Sequence, residues 1–150
     1  MSSSSDLQIP IVINTTYGGF SLSHEAMLHY LAQKIERDHP KHQVLWVKTS
    51  SLYSSYYIVP AGFPYAGKHT EHHAERDAAI EAGLRSGVVL YINDRDIPRH
   101  DPLLIHTIRT LGEEASSGEC AQLEIRTIIF DTKNVIKVHD GKEHITMQHW

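Results

Sequence analysis

The chain has 150 residues, 41% hydrophobic and 21% charged, which suits one compact domain of ordinary composition. That excludes a disordered acidic tail, a collagen-like chain and a disulfide-stapled miniprotein. Fourteen Lys and Arg against 18 Asp and Glu leave a formal charge of −4, so no basic excess is available to track a phosphate backbone, and general nucleic-acid binding is not expected.

The single cysteine, Cys120, rules out an intrachain disulfide and a cysteine-based zinc cluster, and it fits a reducing, intracellular or cytoplasmic compartment. Residues 1–6 read as a flexible polar leader without the apolar core of a secretory signal. No run approaches the roughly 18 apolar residues of a membrane span, so a soluble protein with no membrane association is expected. Histidine is the unusual count. Protonating all 12 would reverse the sign of the net charge, although a scatter of surface imidazoles explains most of them.

In chain order, the Ile-, Val- and Thr-rich LQIPIVINTT from Leu7 predicts a first strand, and Pro10 argues for an edge or strand start. Tyr17-Gly18-Gly19-Phe20-Ser21-Leu22-Ser23 is a tight connection into a helix starting near His24. Ser23 is its N-cap, Met27, Leu31 and Ile35 recur every four residues, and His39-Pro40 ends it. Val44 to Lys48 and Tyr56 to Val59 predict a hairpin, followed by a Pro- and Gly-rich loop from Pro60 to Gly67.

Thr70 is expected to cap a second helix that runs to about Ser86 and stops at Gly87. Val88 to Ile92 is an apolar run of strand length, expected at a central position in the sheet. Asp101 as N-cap and Pro102 at N1 open the clearest helix, expected to reach Ser117-Gly118. Cys120 to Phe130 predicts a strand, and Val135 to His139 with Glu143 to Met147 flank the hairpin signal Asp140-Gly141. The resulting class is α/β or α+β: residues 7–150 as one domain, a single mixed sheet with about three helices and a C-terminal β-hairpin.

Two motifs stand out as candidate sites. Gly18-Gly19, between a strand and a helix N-terminus, would expose backbone N–H groups to an anion, with Ser21 and Ser23 adding hydroxyls and Tyr17 and Phe20 adding rings. The pattern is neither GxGxxG nor GxxxxGK[ST], so it indicates no dinucleotide or P-loop site, and a plain glycine turn also explains it. Arg95-Asp96-Ile97-Pro98-Arg99-His100-Asp101-Pro102 brings two guanidiniums near an imidazole on a proline-stiffened segment, suited to gripping a phosphate or carboxylate. The competing account has Asp96 and Asp101 neutralise the arginines while Asp101 caps the helix.

A third cluster, His69, His72 and His73, has the i, i+3, i+4 spacing of one helical face and is the candidate metal site of a metal-dependent hydrolase. Its spacing is not HExxH, and adventitious metal affinity is the better account. Cys120 sits beside Glu119, whose charge disfavours a thiolate, and no GxSxG elbow exists. Glu143 and His144 alternate sides of a strand, which argues for a structural role.

The strings INTTYGGFSLS (Ile13 to Ser23), DIPRHDPLL (Asp96 to Leu104) and DGKEHI (Asp140 to Ile145) resemble a family of small uncharacterised phage, bacterial and large-DNA-virus proteins. The resemblance covers both ends and about half of the chain. It implies a common fold and a common site that includes Asn14, Tyr17, Gly18, Gly19, Arg99, Asp101, Asp140 and Glu143, and it supplies no substrate. Viral relatives would also fit accessory or virion-associated roles.

The leading expectation is therefore a site for a small anionic or nucleotide-like ligand. Its residues would be Asn14, Tyr17, Gly18, Gly19, Ser21, Arg95, Arg99 and Asp101, at two converging helix N-termini. The alternative is a non-catalytic interaction module with Tyr53, Tyr56, Tyr57 and Tyr65 as its contact surface, and a homo-oligomer formed through the edge near Pro10.

Overall fold

The computed structural model describes residues 7–49, 53–65, 67–69, 74–130, 134–139 and 142–147. In chain order the elements are β1 (Leu7–Asn14), α1 (His24–Asp38), β2 (His42–Lys48), β3 (Ser54–Pro60), β4 (Gly67–His69), α2 (Ala74–Ser86) and β5 (Leu90–Ile92). A 3-10 turn (Asp94–Asp96) precedes α3 (Pro102–Leu111), α4 (Glu113–Ser116), β6 (Leu123–Phe130), β7 (Asn134–His139) and β8 (Lys142–Met147). This is the mixed α/β content expected. The leader 1–6, the cap Thr70 and the turn Asp140-Gly141 lie outside the described residues.

Contacts gather the chain into two compact units, Met1–Met27 with Ile97–Trp150, and Leu28–Asp96. One cut falls inside helix α1 and the other just after the 3-10 turn, which is why no linker composition marks either of them.

In the first unit β1 pairs antiparallel with β6, Asn14 opposite Leu123 and Pro10 opposite Thr127. β7 and β8 form the expected antiparallel hairpin. Ile11, Val12 and Ile13 are buried together, as are Leu104, Ile105 and Ile108 on α3. The apolar stripe of α3 gives that helix a reason to form against this unit's core.

Of the three expected helix caps, the two among the described residues are present. Ala26 N donates to Ser23 Oγ at 3.2 Å, and Leu103 N donates to Asp101 Oδ1 at 2.9 Å. The third helix is shorter than expected because Gly112, at φ +96, breaks it, and the chain restarts as the short α4.

The second unit holds a four-stranded sheet in the order β4-β2-β3-β5. β2 and β3 form the expected hairpin, and β4 adds a parallel strand beside β2 where the segment read as a loop ends. Leu45, Val59, Ile80 and Val89 make its core, and Val47, Tyr57, Phe63 and Tyr65 pack on it.

Two expectations about sheets are corrected. Among the described residues the strands are divided over three sheets rather than one, because β1 takes its partner from the far end of the chain while β2 to β5 pair locally. β5 is an edge strand rather than a central one. Only Leu90–Ile92 joins the ladder, and Val88 stays outside it, half exposed, after the turn at Gly87.

Candidate functional site at the glycine turn

β1 ends at Asn14, which is fully buried, and its side chain organises the turn that follows. Asn14 Nδ2 donates to Thr16 O at 2.9 Å, and Asn14 Oδ1 accepts from Gln122 N at 3.0 Å. Thr16 Oγ1 reaches Cys120 O at 3.0 Å. These bonds tie the start of the glycine turn to the segment entering β6.

Gly18 and Gly19 both have positive φ, +127 and +89, a region that side chains disfavour. A Cβ on Gly18 would stand 2.6 Å from Cys120 O and 2.8 Å from Cys120 Cβ, so glycine is required there for space as well. Ser21 O accepts from Gly118 N at 2.9 Å, and Ser23 N donates to Ser116 O at 2.8 Å. Ser21 is thereby half-buried against Gly118.

Arg99 meets the turn directly. Its guanidinium carbon lies 3.7 Å from the centroid of the Phe20 ring, a cation–π contact. Arg99 Nη2 donates to Glu143 Oε2 at 2.8 Å, Arg99 Nε shares the same carboxylate at 3.2 and 3.3 Å, and Arg99 Nη1 donates to Ile97 O at 2.7 Å. Glu143 Oε1 also accepts from Asn14 N at 3.1 Å. Side-chain exposures of 17% for Arg99 and 5% for Glu143 make this a desolvated pair.

Three segments distant in sequence therefore meet within one unit: the glycine turn, the start of α3, and β8. Asn14, Phe20, Arg99 and Glu143 are in contact. Asp101 acts as the cap of α3, its Oδ1 accepting from Leu103 N. Two earlier assignments change. Arg99 is paired with Glu143, 44 positions away, a partner that its sequence neighbours Asp96 and Asp101 did not suggest. Arg95 is exposed and belongs to the other compact unit, where its backbone N–H donates to Asn93 Oδ1 at 3.0 Å. Alternation along its strand argued for a structural role of Glu143, and the pair with Arg99 is such a role; the partner itself was not foreseen.

An open cavity of about 720 Å³ lies beside the turn. Thr16 and Tyr17 line one side, and Glu113, Glu114, Ser117, Gly118 and residues 120–124 line the other. Tyr17 is 60% exposed, and Lys142 Nζ stands 5.7 Å from its ring centroid. Among the described residues the ionised side chains lining the cavity are carboxylates, Glu113, Glu114 and Glu124. Glu113 Oε2 accepts from Ile125 N at 2.8 Å, and Glu124 pairs with Arg126 at 2.9 Å. Cys120, exposed and at φ +62, forms part of the wall.

The histidine cluster does not form the helical face its spacing suggests, because His69 belongs to β4 and α2 begins at Ala74. His72 and His73 lie outside the described residues. Among the described residues no group of three or more His, Cys, Asp or Glu is placed to hold a metal ion, and no helix is long and apolar enough to cross a membrane.

Comparison with family models, with curated proteins and with solved structures gives no match.

Proposed function

We propose that this protein binds a small polar ligand over the glycine turn, in the cavity between Tyr17 and the Glu113–Glu124 wall, in an intracellular setting. The observation that carries this reading is the cavity itself, about 720 Å³, within the range of small-molecule sites, with an exposed aromatic ring at its mouth.

The charge of the ligand is where this reading departs from the sequence expectation of an anion. Arg99 spends its charge on Glu143, and carboxylates line the cavity, so the local field favours a cationic or neutral molecule. An aromatic amine would place its ring on Tyr17 and its ammonium toward Glu114.

The test is a thermal-shift series with tyramine and putrescine against adenosine monophosphate and citrate. A ligand present at ten times its Kd should raise the melting temperature by about 3 °C. Tyramine is expected to give the shift, and Tyr17→Ala and Glu114→Gln are expected to remove it. A shift with adenosine monophosphate or citrate that Arg99→Gln abolishes would overturn this choice in favour of the anionic ligand.

The second reading, a non-catalytic interaction module, has one observation in its favour. Leu84, Val88 and Tyr91, in the second unit, are 39%, 50% and 52% exposed. Of the four tyrosines expected to form a contact surface, only Tyr53 is exposed, while Tyr57 and Tyr65 pack on the core of their unit. A homo-oligomer, or the accessory or virion-associated role suggested by the family resemblance, belongs to this reading. Light scattering after size exclusion tests it, with a dimer that Tyr91→Glu dissociates as the supporting result.

A further inference from the structure

Tyr17 enters the glycine turn with its side chain exposed, and its backbone is anchored because the preceding Thr16 is bonded to Asn14 and to Cys120 O. An exposed phenol ring offers a negative π-face, which draws a cation lying within about 6 Å of its centre. Such a cation is already present. Lys142 Nζ, at the start of β8, stands 5.7 Å from the Tyr17 ring centroid.

The lysine's place is set by its neighbour. Glu143 is buried, with its carboxylate on Arg99 and on Asn14 N, so the backbone at residue 142 is held beside the turn. Alternation along β8 turns the Lys142 side chain away from that buried pair, and it is exposed. Its four-carbon stem is flexible, so the ammonium leaves the ring by side-chain rotation alone, with the Arg99–Glu143 pair intact. Tyr17 also lines the cavity beside the turn, whose ionised lining is Glu113, Glu114 and Glu124. A ring-bearing molecule that enters this cavity and Lys142 therefore seek the same aromatic surface.

We infer that Lys142 is a built-in competitor for the site at the glycine turn: its ammonium occupies the face of Tyr17 and is displaced when a ligand's ring takes that face. The inference rests on the binding proposed above at Tyr17 and adds its regulation, since removing the Lys142 cation opens the ring to the ligand. Displacing an exposed ammonium from a tyrosine ring corresponds to about a two- to fivefold change in affinity.

The experiment uses the full chain and two measurements. Without any ligand, the Lys142 ε-methylene protons are followed by NMR; the Tyr17 ring current is expected to move them upfield, and Tyr17→Leu to return them. Tyramine and its uncharged analogue 4-(2-hydroxyethyl)phenol are then titrated calorimetrically into the unaltered chain, Lys142→Gln and Lys142→Arg. Lys142→Gln is expected to bind both molecules about two- to fivefold tighter, while Lys142→Arg, which keeps a cation over the ring, tightens neither. Tightening of tyramine alone would reveal plain charge repulsion and overturn the inference. So would an unaltered chain that binds tyramine as tightly as Lys142→Gln does, or a lysine methylene that Tyr17→Leu does not move. If neither the unaltered chain nor Lys142→Gln binds tyramine at all, the proposed ligand reading itself falls, and the inference falls with it.

Discussion

Two arginines withdrawn from solvent to different degrees, one in each compact unit, are paired in opposite ways. Arg99 and Glu143 are distant in sequence, and both are largely withdrawn from solvent, at 17% and 5% side-chain exposure. Arg76 pairs with its sequence neighbour Asp77, and there the guanidinium is hidden at 3% while the carboxylate stands 45% exposed. The first pair joins segments from three parts of the chain and acts as a structural clasp. The second is a pair of neighbours on one helix, at the wall of a cavity. Burial of a charged residue does not by itself indicate a binding site.

The largest expected effect follows from breaking the clasp. Glu143→Ala leaves the Arg99 guanidinium and the Asn14 N–H without their shared carboxylate, and is expected to cost about 3 kcal/mol in urea denaturation. Gly18→Ala comes next, at about 2 kcal/mol, since the new Cβ meets both a positive φ and the Cys120 backbone. Asp77→Ala is expected to cost less than Glu143→Ala, about 1 kcal/mol, because the Asp77 side chain is 45% exposed whereas that of Glu143 is 5%. If Asp77→Ala proved as damaging as Glu143→Ala, the contrast between clasp and cavity wall would fail.

The smallest effect is electrostatic and fully at the surface. Arg37, hydrogen-bonded to Asp38 at 2.7 and 2.8 Å, holds that carboxyl down to about 2 from its ordinary 3.8, with Lys34 assisting. A depressed carboxylate stabilises the folded state above its unfolded pKa, so this contribution is complete above about pH 4 and lost as pH falls through 2. NMR titration of the Asp38 carboxyl should place its midpoint near 2, and Arg37→Gln should return it toward 3.8. The same titration should leave the clasp variants unaffected, which separates surface pairing from buried pairing.

Local signals in the sequence were reliable for local structure. Ser23 and Asp101 cap the helices they precede, and the C-terminal hairpin forms where Asp140-Gly141 places it. The reading failed where the deciding partner was remote. Arg99 has Asp96 and Asp101 close by in sequence, so proximity named them as counterions, yet Asp101 is committed to Leu103 N and the carboxylate that arrives is Glu143. Alternation along β8 shows that Glu143 and His144 face opposite sides, but not which side meets Arg99. Gly112 was read through as helix interior because the apolar spacing of Leu104, Ile108 and Leu111 continued to Ala115, whereas α3 ends at Gly112, whose φ is +96. The apolar run at Val88 promised a central strand, but only the last part of it pairs.

The pairing of β1 with β6 also sets an order of events during synthesis. Leu7 waits for Phe130 and Asn14 for Leu123, so the first strand leaves the ribosome long before its partner exists, while the whole of the 28–96 unit is already available to fold. In that interval LQIPIVIN is an unpaired, β-prone apolar segment without a charge, the composition that recruits other nascent chains. Pro10 interrupts its hydrogen-bonding edge, and a proline tolerated in the finished ribbon thereby acts as a gatekeeper against aggregation while the ribbon is still incomplete.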